Sequence, residues 1–184
     1  MISITTNDDD LAIKVIEGDK TIDQLEIDIE NNCVNLIALQ QPMASDLREI
    51  TAIMRIIADV ERIADYANGI AKLQISFGQD MTDKAKLFMP MYEILSTMIE
   101  KSNEAFIKRN SQLAREVAQK DPQVDQEYKE IYTHLLNEMS KNEETRDEVI
   151  ALLFMGRYLE RIGDHTVNIC ERIIYMLDGI REYF

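Results

Sequence analysis

Turn formers are scarce in this chain, with three prolines and six glycines in 184 residues. That scarcity excludes the many short strands and tight turns of a β-sandwich or barrel, and favours long helices with few breaks. Basic residues are also few, 20 Lys and Arg against 34 Asp and Glu, for a net charge of −14. Nucleic-acid and anionic-membrane surfaces need clustered Lys and Arg, so neither partner is expected. The two cysteines, Cys33 and Cys170, stand apart in apolar helical stretches, as reduced core thiols do and a disulfide framework does not. No uninterrupted apolar run approaches the ~18 residues of a membrane span, and no leader-like segment opens the chain. A cytoplasmic protein is expected. The two histidines, His134 and His165, do not cluster, and neither lies three residues after a Glu. The Glu-x-x-His signature of di-iron bundles and the ligand set of zinc hydrolases are therefore missing. A Gly-rich phosphate loop, a Ser-His-Asp or Cys-His arrangement and a candidate nucleophile are missing too, so no enzymatic activity is expected.

What the chain does have is helical periodicity. Residues 1–7 carry no pattern and are expected to fray. A short helical piece over 8–17 stops at Gly18, and a new helix starts near Lys20, with Thr21 and Gln24 as a candidate capping box. Its apolar seam is Ile22, Leu25, Ile29, Cys33 and Leu36; beside it runs an acidic seam of Asp19, Asp23, Glu26 and Glu30. Pro42 ends that helix. A long helix follows over 44–76, capped by Asp46 with Glu49 and ending near Gly78, its packing face running from Ile50 through Ala64 to Ala71. Residues 79–83 form the turn between halves, with Thr82 as a candidate cap. A helix over 83–119 is kinked near Pro90, and the next begins at Asp121-Pro122, with Asp121 a natural cap. Residues 141–144 make a polar turn, Thr145 with Glu148 a second capping box, and the last helix runs to about Leu177 before Gly179. The fold class is all-α, two antiparallel helical bundles over 8–78 and 83–180.

The two halves repeat one chemical feature. Glu160 and Asp164 sit on one helix face with Asn168 and Glu171; Glu61 and Asp65 lie 99 residues earlier. Asp19 and Asp23 recur as Asp121 and Asp125, each shifted by 102. If the stripes of neighbouring antiparallel helices face each other, two carboxylates from each converge. Their pKa values then rise unless a cation neutralises them. Oxygen ligands suit a hard divalent or trivalent ion, Mg²⁺, Ca²⁺, Mn²⁺ or Fe³⁺. Arg62, Arg157 and Arg161 stand close enough in sequence to satisfy the same acids as ion pairs, and that reading stays open, as does a purely structural bundle. A multi-carboxylate metal enzyme is the other alternative.

Three runs together carry a resemblance: Gln40-Gln41-Pro42-Met43-Ala44-Ser45-Asp46-Leu47-Arg48, then Glu61-Arg62-Ile63-Ala64-Asp65-Tyr66-Ala67, then 159–171 with Glu160-Arg161-Ile162-Gly163-Asp164 at its head. The chain resembles the PhoU family, regulators associated with the high-affinity phosphate transporter of bacteria, over about residues 11–180. The resemblance implies two similar three-helix bundles whose Glu/Asp-x-x-x-Asp motifs hold multinuclear metal clusters. Carried over by position, the ligands are Asp19, Asp23, Glu61 and Asp65 in one bundle, and Asp121, Asp125, Glu160 and Asp164 in the other, with Asn168 and Glu171 close by. It also implies a cytoplasmic, often dimeric adaptor that restrains phosphate uptake and keeps the phosphate-starvation response off. The implied partners are the transporter's ATPase subunit and a membrane sensor histidine kinase. Two departures carry expectations of their own. The helix before Asp19 is short for the family, which predicts an apolar groove that a second copy fills. Gly69 and Lys72 stand where the second half has Asn168 and Glu171, which predicts the stronger metal site in the second half.

Overall fold

The computed structural model describes residues 1–140 and 146–184, and the side chains of all of these except residues 79 and 80. Nothing but helix, turn and bend occurs among them, and no strand. Two long helices, α2 (Asp9–Gln40) and α3 (Ala44–Phe77), form an antiparallel hairpin across a link centred on Pro42, with Gln41 in the left-handed region at φ 46°. A one-turn helix, α1 (Ile2–Thr6), precedes them, and Gly78 at φ +47° ends α3. The second half is built from α4 (Gln79–Ala85), a 3₁₀ turn over Lys86–Phe88, α5 (Met89–Ile107), α6 (Ser111–Ala118), α7 (Asp121–Met139) and α8 (Arg146–Asp178).

The organising helix is α8. It packs on α3, α5, α6 and α7, and it carries the largest share of the buried residues, Val149 to Met176. Its partnership with α3 is antiparallel: Arg48 lies against Gly179, Asp59 against His165 and Gly69 against Tyr158. The core is consequently one continuous cluster. Ile56 and Ile70 from α3 join Phe88, Leu95, Met98, Leu152, Met155 and Ile173 from the second half. Among the described residues, no helix is long and apolar enough to cross a membrane.

Several local expectations are overturned. Residues 2–6 are helical, with Ser3 and Ile4 buried, because Ile4 enters the main core. Gly18 does not stop a helix; α2 runs through it, started at Asp8, whose side chain accepts from the Leu11 N–H at 2.9 Å. The Thr21/Gln24 capping box is consequently mid-helix, and Gln24 donates to Asp28 instead. A Cβ at Gly18 would meet nothing within 4 Å. Gly18→Ala is therefore expected to stabilise the fold by about 0.5–1 kcal/mol, read as a higher denaturation midpoint at unchanged slope. At α3, Asp46 and Glu49 make no cap; Glu49 is held by Arg109 in a two-pronged ion pair at 2.6 and 3.0 Å. Residues 79–85 are helix, and the expected helix over 83–119 is spread over four elements, the end of α4, the 3₁₀ turn, α5 and α6. It breaks at Arg109, φ 50°, where Asn110 caps α6 by accepting from the Leu113 N–H at 3.0 Å. Asp121 opens α7 with no capping hydrogen bond. The polar turn over 141–144 and the cap at Thr145 lie outside the described residues; Glu148 pairs with Lys84 at 3.0 Å. On α2, Leu25 and Leu36 of the expected apolar seam are exposed. The face turned to α3 mixes Ile22, Ile29 and Cys33 with Asp19, Asp23 and Glu26.

Candidate metal centre

The second-half acids are brought together by close packing of α7 on α8. Gly163 permits it: a Cβ there would lie 2.9 Å from the Asp121 Oδ1 and 3.3 Å from Leu95. Glu160, three residues before Gly163, and Asp164, the residue after it, lie close enough to Asp121 and Asp125 for their charges to interact. Burial first, then Asp125, Asp164 and Glu160, push the Asp121 carboxyl up to about 6. Glu160 is raised by burial and by Asp164, with Arg157 and Arg161 opposing and Asp125 adding to the rise. Such mutual elevation is what like charges do in a site short of water. Arginines relieve it in part. Arg157 donates to Glu160 at 2.6 Å and Arg161 to Asp164 at 2.9 Å, both from within α8. The Glu160 Oε2 remains shielded from solvent with no hydrogen-bond partner. Asp125 is exposed, so the cluster opens to solvent on one side.

In the first half the four predicted residues are less closely gathered. Glu61 is raised by burial and then by Asp65, with Arg62 opposing and Glu26 adding to the rise. Arg62 binds Asp65 at 3.2 Å and approaches Glu61 at 3.6 Å. Asp19 is taken by the amide of Asn68, a short hydrogen bond across α2 and α3, while its Oδ1 has no partner. Asn68, which nothing in the sequence marked for inclusion, and Glu26, read in the acidic seam but not as a ligand, thus belong to this site. Shifting Glu26 by 102 gives Tyr128, so the second half replaces this carboxylate with a phenol.

Two further predicted residues are directed elsewhere. Asn168 donates to Asp59 on α3 at 3.2 Å, and His165 Nδ1 lies 2.8 Å from the same carboxylate oxygen, so this trio ties α3 to α8. Glu171 is buried and accepts from the Phe184 N–H at 3.1 Å. Neither joins Glu160 and Asp164: they lie one and two turns beyond Asp164 on α8, where α3 and the tail supply their partners. As the side chains lie, no group of three or more His, Cys, Asp or Glu among the described residues is poised to hold a metal ion.

The chain as a whole is matched by known proteins. The sequence profile of the PhoU domain fits residues 1–74 and 88–173. The chain belongs to the PhoU family. A PhoU relative from Clostridium acetobutylicum, named as a homolog of the phosphate-specific transport system accessory protein PhoU, is 39% identical over 181 residues, covering 97% of this chain and 83% of its own length. The Escherichia coli K12 accessory protein PhoU is 37% identical over 173 residues, covering 94% and 72%. The crystal structure of PhoU from Pseudomonas aeruginosa superposes with a TM-score of 0.90 at 33% identity, over 97% of this chain and 86% of that one. The Streptococcus pneumoniae phosphate transport system regulatory protein PhoU also gives 0.90, at 30% identity, over 100% and 86%. In this PhoU chain, Glu160, Asp164, Asp121 and Asp125 act on one another in the second half; in the first half Glu61 is coupled to Asp65 and Glu26, Asp19 is held by Asn68, and Asp23 lies half-buried on α2.

Proposed function

We propose that the chain is a non-enzymatic accessory protein of a phosphate-specific transport system, a negative regulator of phosphate uptake and of the starvation response. Membership of a family whose relatives carry that name supports the reading. The observation that carries its physical side is the mutual elevation of carboxylates across α7 and α8, groups that are coupled without being gathered into a ligand set in this structure. A hard cation such as Mg²⁺, Ca²⁺, Mn²⁺ or Fe³⁺ would be held by Asp121, Asp125, Glu160 and Asp164, and would supply a positive patch for phosphate or an anionic partner surface. The elevated Asp121 fits such an ion, as does the Glu160 Oε2, which has no hydrogen bond and only a 3.9 Å approach from Arg161 Nε. In the first half, Asp19 already has Asn68 as a partner, which favours the second-half site. An edge open to solvent suits an adaptor face better than an enclosed reaction chamber. The proposed partners are the transporter's ATPase subunit and the sensor histidine kinase, in the cytoplasm, with bundles over 8–78 and 83–180. The test is genetic. Expressed in a bacterium lacking its own PhoU protein, the chain should restore repression of a starvation-induced phosphatase in phosphate-rich medium; persistent derepression with the chain present and folded rejects the reading.

The homodimer belongs to the same reading. A groove of about 450 Å³ between α2, α3, α5 and α8 is lined by Val15, Ile63, Ile70, Tyr92, Leu95 and Ile99. Further along α2, Leu25, Ile27, Val34, Leu36 and Leu39 stand exposed, the last two roughly 30–36 Å from Val15. An apolar groove and an exposed apolar helix on one chain offer both halves of an interface between two copies. Sedimentation at micromolar concentration is expected to give a dimer, and Leu36→Lys with Leu39→Lys a monomer; a wild-type monomer rejects the pairing.

A further inference from the structure

The early turns of α3 and the last turns of α8 enclose a cavity of about 410 Å³ together with the segment after α8. The size falls in the range of small-ligand sites, about 300–1,000 Å³. Three guanidiniums line it: Arg55 from α3, Arg172 from α8 and Arg181 from the tail. None of them makes an ion pair among the described residues, in a chain with 34 acidic side chains available. Arg172 Nε is shielded from solvent with no acceptor, and so is Nε of Arg48, one turn before Thr51 on the same helix and in contact with Gly179. The two carboxylates in the lining are engaged elsewhere. Glu171 accepts from the Phe184 N–H, and Glu182 is clamped by Arg115, whose Nη2 lies 2.6 Å away and which also holds Asp178 at 2.7 Å. Arg181 lies over the Tyr175 ring at 5.4 Å, so its position is fixed by stacking and not by charge.

We infer that this arginine-lined cavity between α3, α8 and the tail is a binding site for a phosphoryl group, presented either as inorganic phosphate or as a small phosphate ester. Guanidinium forks match oxyanions with several acceptor oxygens, and each charged hydrogen bond made in a shielded site is stronger than a neutral one. A carboxylate brings one charge and two oxygens, too few for three unpaired arginines. A phosphoryl group brings a charge near −2 and at least three acceptors. The cavity exceeds what the phosphoryl group alone fills, and Tyr175 and Tyr183 offer ring faces to whatever carries it.

Titration calorimetry on the full chain, held in chelator so that no metal captures the anion, separates the cases. Inorganic phosphate and ADP are the two probes, and chloride at matched ionic strength is the control. Binding of phosphate identifies the free anion as the occupant; binding of ADP alone identifies an ester; both support the site. Arg55→Gln, at an exposed position, is expected to weaken binding about tenfold or more. Arg172→Lys keeps the charge but loses the fork, and should weaken it comparably. Asp125→Asn in the acid cluster should leave affinity unchanged. Failure of both probes to bind at millimolar concentration overturns the inference, as does undiminished binding to Arg55→Gln and Arg172→Lys.

Discussion

Truncating Phe88 to alanine is expected to destabilise the fold by about 3–5 kcal/mol, the largest single loss available to a side chain in this protein. Phe88 ends the 3₁₀ turn, is wholly buried, and is placed where α8 has no side chain at all. An added Cβ at Gly156 would come within 2.7 Å of the Phe88 ring and 3.0 Å of Tyr128. The ring therefore fills a notch that only glycine leaves open, and the break between α4 and α5 is pinned to α8 by it. Gly156→Ala should cost about 1–3 kcal/mol by overpacking, since a buried ring has no free volume into which to swing. The decisive measurement is the double variant. If the two residues form one lock, Phe88→Leu with Gly156→Ala will be less destabilised than the sum of the singles, by urea unfolding. Additive losses would mean that the notch is not what positions the turn.

Gly156 also illustrates what a sequence conceals. The periodicity of α3 and α8, the stop at Gly78 and Gly179, and the break at Pro42 are written in local chemistry, and they are found where expected. The hairpin of α2 and α3 follows from a three-residue link. Other features depend on partners far along the chain. Gly18 looks like a stop, yet Asp8 starts a helix strong enough to pass through it, because α2 gains its stability from packing along α3. Residues 2–6 have no period to detect, and their helix exists because Ile4 reaches the main core. Arg109 breaks the expected long helix with a left-handed backbone that side chains other than glycine seldom adopt; the Asn110-Ser111 pair was the available sign of a new cap. The acid pairs were legible from their duplicated spacing. Their partners were not: Asn68 and Asp59 look like ordinary polar positions on a helix until α2 and α8 are laid beside α3. Asn168 and Glu171 keep broadly to the face of Glu160 and Asp164 at about 100° per residue, but they lie one and two turns beyond Asp164, where Asp59 of α3 and the tail's Phe184 take them.

The second large effect concerns Asp121, and its sign depends on pH and on metal. Its carboxyl sits at about 6 in the fold against 3.8 for the free group. A folded value above the unfolded one means that the folded chain holds its proton longer. The stability this gives is fully present below about pH 3.8 and is lost as pH rises through 6. At pH 7.5, without metal, the ionised Asp121 beside Asp125, Asp164 and Glu160 therefore weakens the fold. Asp121→Asn should then be the more stable protein, by about 1 kcal/mol once solvent screening of a half-buried group is taken into account. The advantage should shrink at pH 5 and vanish near pH 4. Adding Mn²⁺ or Mg²⁺ should reverse the order, because a cation turns the same repulsion into binding that the asparagine cannot match, and binding to the folded state raises its stability. Glu160→Ala with Asp164→Ala should abolish second-half metal, measured by elemental analysis, with helicity retained, while metal held by the first half survives in lower amount. Arg157 and Arg161 set the opposite expectation. If those guanidiniums already satisfy Glu160 and Asp164, the thermal midpoint of the wild-type chain will not respond to the ions at any pH, and the acid cluster is an ion-pair network. A midpoint that rises with metal at pH 7.5 but not at pH 4 decides for coordination, because only the ionised carboxylates can hold the cation.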